Sequence, residues 1–220
     1  MTNKITFHII TLFPGAFDSY LNESIIKRAI SDKKIKVLLY NPRDFTKNKH
    51  KRVDQKPYGG GPGMVLEVES VLCAVTKAVG RKDRKKIKII FFVPNGKQFD
   101  TLYAEKMSKD YKHIIFICGR YEGIDARVKK ILRAEAITIG PYTLTGGELP
   151  AMVMLDAITR RIEGVLGNND SVEERRISAN EVYTRPEVFT WKGKTYKVPK
   201  VLLSGNHKEI TAWKQKNTTK

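Results

Sequence analysis

The chain has 220 residues, of which 41% are hydrophobic, enough for one sizeable domain or two small ones with a real core; this argues against disorder throughout. A formal charge of +18, from 41 Lys and Arg against 23 Asp and Glu, points to a polyanionic partner, because neutralising phosphates releases counterions; a basic surface without a nucleic-acid role is the alternative. Only Cys73 and Cys118 occur, without paired-ligand spacing, so neither a disulfide framework nor a cysteine zinc site is supported and a reduced cytoplasm fits.

The opening "MTNKITFHIITLFPG" holds an apolar run too short to span a bilayer and lacks a signal peptide's basic flank and cleavage site, so a soluble cytoplasmic chain is expected. "KITFHIITLF" reads as a strand, residues from about Phe17 to Ile30 as a helix, and "KIKVLLY" (34–40) as a second strand, the rhythm of a βαβ unit. "PYGGGPGM" (57–64) cannot be regular structure; beside the basic run "KNKHKRVDQK" it could follow a phosphate backbone or act as a plain connector. Cys73, in "VLCAVTKAV", falls in a helical apolar pattern and is expected in the core. The rhythm resumes with "KIKIIFFV" (86–93), a helix near 98–109, "HIIFIC" (113–118), a helix near 124–133, "AITIG" (136–140) and a helix from about 148 to 162. Continuous apolar strands joined by helices predict an α/β fold with a parallel sheet covered by helices on both faces.

Residues 1–163 are therefore read as one α/β cofactor-binding domain. The polar stretch 164–180 is read as an exposed flexible linker, and 181–220 as a small, mainly helical, basic C-terminal domain. Basic residues cluster: ten between Lys27 and Arg52 against Asp32 and Asp44, six against one in "RKDRKKIK" (81–88), and eight lysines against Glu209 from Lys192 to Lys220.

Three middle strands each run into a loop marked by glycine: "PNGKQFD" (94–100), "GRYEGID" (119–125) and "GPYTLTGG" (140–147). In a parallel sheet these loops share one edge, where ligands of open α/β folds bind; strand termination alone is the other reading of the glycines. Neither G-x-G-x-x-G nor G-x-x-x-x-G-K-[ST] occurs at these junctions, so the pocket is not built for a pyrophosphate. A nucleoside without phosphates fits better, since glycine lets main-chain groups approach a base and ribose.

"PRDFTKNKHKRVDQKPYGGGPGM" (42–64), "CGRYEGIDARV" (118–128), "IGPYTLTGGELPAM" (139–152), "GVLGN" (164–168), "YTRPEV" (183–188) and "VLLSGNHKEI" (201–210) closely resemble the bacterial tRNA (guanine-37-N1)-methyltransferases of the SPOUT superfamily. The resemblance implies a deep trefoil knot in the α/β sheet, a small helical C-terminal domain, tRNA as partner, and a homodimer whose active site forms between subunits. It also implies S-adenosylmethionine as cofactor, held largely through main-chain contacts by Pro94, Gly119, Glu122, Ile139, Gly140, Pro141, Tyr142, Thr143, Leu144, Gly146 and Gly147.

The implied reaction is methyl transfer to guanine N1, which needs in-line placement and removal of the N1 proton; no metal is required by that logic. Arg160 resembles the residue that holds the guanine carbonyl oxygen as negative charge develops there, with an i,i+4 pair to Asp156 as the alternative. The chain departs from the family at the general base: where an Asp is expected the ungapped match gives Arg175, whose guanidinium cannot accept a proton. Glu174 is the favoured replacement, with Glu173, Asp170, or no base at all as alternatives. Pro141 stands where many relatives carry Asp, and fewer residues follow "VLLSGNH" than in many relatives, so a tRNA grip that is smaller or relies more on lysines is expected. A non-catalytic RNA-binding protein of the same fold, or a knotted enzyme acting on another RNA, are the rival readings.

Overall fold

The computed structural model describes residues 4–167 and 181–217, and the chain divides into two compact units, Met1–Val165 and Leu166–Lys220. The first unit opens with β1 (Ile5–Ile10), α1 (Asp18–Leu21), α2 (Ser24–Ser31) and β2 (Ile35–Tyr40), followed by β3 (Asp54–Gln55), β4 (Val65–Leu66) and α3 (Val68–Val79). It continues through β5 (Ile87–Gln98), α4 (Thr101–Asp110), β6 (His113–Ile117), α5 (Ala126–Leu132), β7 (Glu135–Thr138) and α6 (Glu148–Thr159). The helix expected over 17–30 is thus split in two, and Asn22 marks the break by donating from its side-chain amide to the Asp18 carbonyl (2.7 Å).

Five strands form one parallel sheet in the order β2-β1-β6-β5-β7. Because side chains alternate along a strand, each strand supplies two cores. Phe7, Ile9, Ile90, Ile114 and Phe116 pack with buried residues of α2, α4 and α6. Ile10, Ile89, Phe91, Ile115 and Ile117 pack with those of α3 and α5. Strands buried on both sides explain the unbroken runs of Ile and Phe in the sequence.

Two readings of this unit are corrected by the structure. Cys73 is exposed: α3 buries Ser70, Val71, Ala74, Val75 and Ala78, the i, i+3/i+4 stripe, and Cys73 falls on the other side. The loop expected over 94–100 is instead largely strand, for β5 runs on to Gln98, with Phe92 and Lys97 both opposite Ile137. Four residues, 93–96, are extruded between those two pairings, a wide irregularity that re-aims the strand end. Gly96 is required there by proximity, since a Cβ would lie 2.6 Å from the Ile137 carbonyl carbon.

The second unit holds β8 (Val188–Trp191), β9 (Lys194–Lys197), α7 (Lys200–Leu203) and α8 (His207–Lys216). The antiparallel β8–β9 hairpin is an addition to the helical expectation. Its two-residue turn, Lys192-Gly193, has positive φ at both positions (48° and 77°), the geometry that matches the twist of a tight hairpin. Asn206 caps α8, its side chain accepting from the Lys208 and Glu209 amides.

His8 is fully buried in β1, with Nδ1 3.1 Å from Tyr40 Oη and Nε2 3.3 Å from His113 Nδ1. Burial first, then the charges of Lys82, His113 and Lys36, lower its pKa to about 4. The folded state thus keeps His8 neutral while the unfolded chain takes up a proton near pH 6.5, so this contribution is present above pH 6.5 and is lost as pH falls towards 4. Urea unfolding at pH 7.5 and 4.5 should show the parent losing about 2 kcal/mol more than His8→Phe, after allowance for solvent screening. Equal losses in the two proteins would remove His8 as the cause.

Candidate functional site

Where the parallel strands end, the chain forms a cleft of about 380 Å³ lined by the extruded part of β5, by the loop after β6 and by the segment between β7 and α6. That size suits a nucleoside-sized ligand. Of the residues singled out by resemblance, Pro94, Gly119, Glu122, Ile139, Tyr142, Thr143, Leu144, Gly146 and Gly147 line it. Gly140 and Pro141 belong to the same segment but do not line the cleft. Arg160 lies outside it too: it caps the C-terminus of α6, twelve residues beyond Glu148, or roughly 18 Å at helical rise. Glu174, with the alternatives Glu173 and Asp170, falls outside the described residues.

The three walls are joined through main chain. Gly147 donates its N–H to the Gly119 carbonyl at 3.0 Å, fastening the entry of α6 to the exit of β6. The approach excludes any side chain, as a Cβ on Gly147 would lie 2.5 Å from Cys118 Cα and 3.0 Å from the Gly119 nitrogen. The end of the glycine-rich stretch 57–64 and the adjoining β4 are joined in turn to the loop after β6: Glu122 N–H donates to the Met64 carbonyl, Leu66 N–H to Gly123, and Asp125 N–H to Leu66, each at 3.0 Å. Between Tyr142 and Gly146, by contrast, the backbone makes no hydrogen bond to other main chain of the described residues. Main-chain donors and acceptors of this lining segment are therefore not used by other main chain, the kind of group that recognition of a base and ribose without phosphates calls on.

Beneath the cleft lies a polar cluster that sequence reasoning missed. Glu148, 3% exposed, accepts from Thr11 Oγ1 at 2.7 Å through Oε1. Its Oε2 lies 2.9 Å from Arg120 Nε, at angles that do not make a hydrogen bond, so charge carries that contact. The Arg120 guanidinium also stands over the Phe13 ring, 4.5 Å from its centroid. Removing Arg120 takes that cation from the buried Glu148 carboxylate, a costly change, so the contact ties the loop after β6 to the start of α6. Next to it, burial pushes the Cys118 thiol well above its ordinary pKa, so it is not a nucleophile. Among the described residues no three His, Cys, Asp or Glu side chains gather to hold a metal ion. No helix of the described residues is long and apolar enough to cross a membrane.

Gly147→Ala is expected to destabilise the first unit by about 1–3 kcal/mol, because backbone rather than a flexible side chain must give way. Urea unfolding of variant and parent is the measurement that checks this. Gly167→Ala, where an added Cβ meets nothing within 4 Å among the described residues, is the control and should unfold like the parent.

The sequence from residue 5 to residue 220 matches the family model described as "tRNA (Guanine-1)-methyltransferase TrmD". It is 44% identical over 216 residues to the tRNA (guanine-N(1)-)-methyltransferase of Clostridioides difficile, covering 96% of this chain and 91% of the relative. The protein of that name from Buchnera aphidicola (Acyrthosiphon pisum strain) is 44% identical over 218 residues, 97% of this chain and 90% of the relative. Its counterpart from Caldanaerobacter subterraneus is 46% identical over 216 residues, 96% and 86% respectively. With one parallel α/β sheet, a glycine-lined cleft at its strand ends and a match over nearly its whole length, the chain belongs to the tRNA (guanine-1)-methyltransferase TrmD family.

Proposed function

We propose that the protein transfers a methyl group from S-adenosylmethionine to N1 of guanine 37 in tRNA. The observation that carries this reading is the cleft at the strand ends, whose 142–146 wall offers unshared main-chain groups in a chain of this family. When bound there, the sulfonium donor supplies an electrophilic methyl carbon: the S–C bond breaks as the N1–C bond forms, and the N1 proton passes to a base.

This chain's residues do the rest. Ile139, the 142–147 segment and Gly119 hold adenine and ribose, and the Glu148–Arg120 pair steadies the start of α6 to which that segment leads. Arg160 stabilises the negative charge that develops on the guanine carbonyl oxygen, and Glu174 takes the N1 proton, since Arg175 cannot. The deep trefoil knot implied by the family forms this cleft, and the basic unit from residue 181 onward grips the tRNA.

A homodimer reconciles Arg160 with the cleft. In one chain the length of α6 separates the two by roughly 18 Å, so Arg160 is assigned to the cleft of the partner subunit. Support comes from the exposed side of α6, where Leu149 (54%) and Val153 (47%) stand one turn apart. Phe13 and Tyr20 are likewise exposed; Phe13 carries Arg120 of the cleft wall on its ring, and Tyr20 donates to Asp156 Oδ2 at 2.5 Å. An apolar patch bordering the cleft suits a second copy of the chain better than water.

Incubating the protein with labelled donor and tRNA transcript, then mapping the methylated nucleotide, should place the label on N1 of guanine 37; label elsewhere or none would overturn the reading. In single-turnover assays Arg160→Ala should slow transfer about 10²–10³-fold. Glu174→Ala should slow it about 10²-fold or more and flatten its pH profile, whereas the parent rate across pH would remove Glu174 as the base. Leu149→Asp with Val153→Asp should run as a folded monomer in light scattering and lose transfer; a dimer with full rate would refute the shared site.

A further inference from the structure

The cationic segment 81–88 has no place in the cleft, which lies at the opposite ends of the strands. Four adjacent strands, β2, β1, β6 and β5, are each entered from a lysine: Lys34, Lys4, Lys112 and Lys86. Main-chain bonds tie these entries together, for Ile5 N–H donates to the Lys34 carbonyl (3.3 Å), Thr6 N–H to Lys112 (2.9 Å) and Lys112 N–H to Lys86 (3.0 Å). At the usual strand spacing the four lysines extend over about 14 Å along one edge of the sheet. Lys4, Lys86 and Lys112 are exposed and Lys34 is half-buried.

The row continues into a depression of about 200 Å³ lined by Arg84, Lys88, Tyr111 and Arg133. Cations outnumber acids in the segments of this edge: Lys33, Lys34 and Lys36 stand beside Asp32, Arg81, Lys82, Arg84, Lys85, Lys86 and Lys88 beside Asp83, and Lys112 beside Asp110, while Glu135 is paired with Lys88 and accepts from Tyr103 Oη. Arg84 and Arg133 are both exposed, with Ile87 and Ile89 forming the floor between them.

We infer that this edge is a second RNA-binding surface, which takes sugar–phosphate backbone at a distance from the methyl-transfer cleft. A periodic row of ammonium groups ending in two guanidiniums matches a chain of phosphates, and its affinity comes from counterion release rather than base reading. An anionic membrane is the poorer partner. Surface-lying elements insert large apolar side chains beside their lysines, and the segments 32–36, 81–88 and 110–113 expose none. Residues 87 to 90 of β5 separate the edge from the cleft, whose lining begins at Phe91, by about 13 Å, so one folded RNA can touch both. The inference extends the tRNA reading, but its test does not depend on turnover.

The variant Lys4→Ala, Lys34→Ala, Lys86→Ala, Lys112→Ala, and separately Arg84→Glu with Arg133→Glu, should bind a tRNA transcript roughly tenfold more weakly at moderate salt. The slope of log K against log salt should shrink by about 0.7–0.9 for each phosphate that is no longer neutralised. Donor binding should be unchanged, and so should the transfer rate at saturating tRNA, which separates failure here from failure of the methyltransferase reading. In the parent protein, acetylation of Lys86 and Lys112 read by mass spectrometry should slow on adding tRNA. Unchanged affinity and slope, or unprotected lysines, overturn the inference. Loss of binding to phosphatidylglycerol vesicles with RNA binding intact would overturn it in favour of a lipid surface.

Discussion

The site depends on one close approach of main chain, where Gly147 lies against Cys118 and Gly119 and donates its N–H to the Gly119 carbonyl. Two cleft walls, from different strands, meet there with no side chain between them. Because the contact is backbone on backbone, it cannot relax by rotamer change, and the position of the 139–147 wall is inherited directly by the start of α6. The Thr11–Glu148–Arg120 cluster secures the same junction from below, linking it to the end of β1.

Chemistry is divided between the two ends of the sheet. At the strand ends, main-chain groups and apolar side chains suit a nucleoside with no phosphate to neutralise, and of the charged lining residues Arg120 is held by the buried Glu148 while Glu122 is exposed. At the strand entries the surface is a row of cations with few opposing acids. Part of the +18 charge is thus placed at the edge opposite the cleft, where it is free to meet a polyanion without crowding the cleft.

Much of the fold was legible because strands buried on both faces must be continuously apolar, and "KIKVLLY", "HIIFIC" and "AITIG" fall within a residue or two of β2, β6 and β7. The extruded segment 93–96 was not, because Pro94 and Gly96 signal a turn locally while the strand resumes only through pairing with Ile137, a tertiary matter. Cys73 misled for a related reason: apolar neighbours on both sides hide which stripe of α3 faces the sheet. The hairpin in the second unit left a usable signal, Lys192-Gly193 between β-branched and aromatic residues. At the site, Gly119, Gly146 and Gly147 were legible as glycine, whereas Glu148 looked like an ordinary acid in a first helical turn. Its partner Thr11 is 137 residues away, beyond any local pattern.

The most direct test is hydrogen exchange of the amides from 119–122 and 139–147, with and without saturating S-adenosylmethionine. Protection confined to these two stretches and the segment around Pro94, with none from a dinucleotide bearing a pyrophosphate, is the expected result. Exchange left unchanged by the methyl donor, or slowed by the pyrophosphate compound instead, would contradict the account of a cleft formed by main chain for a phosphate-free nucleoside.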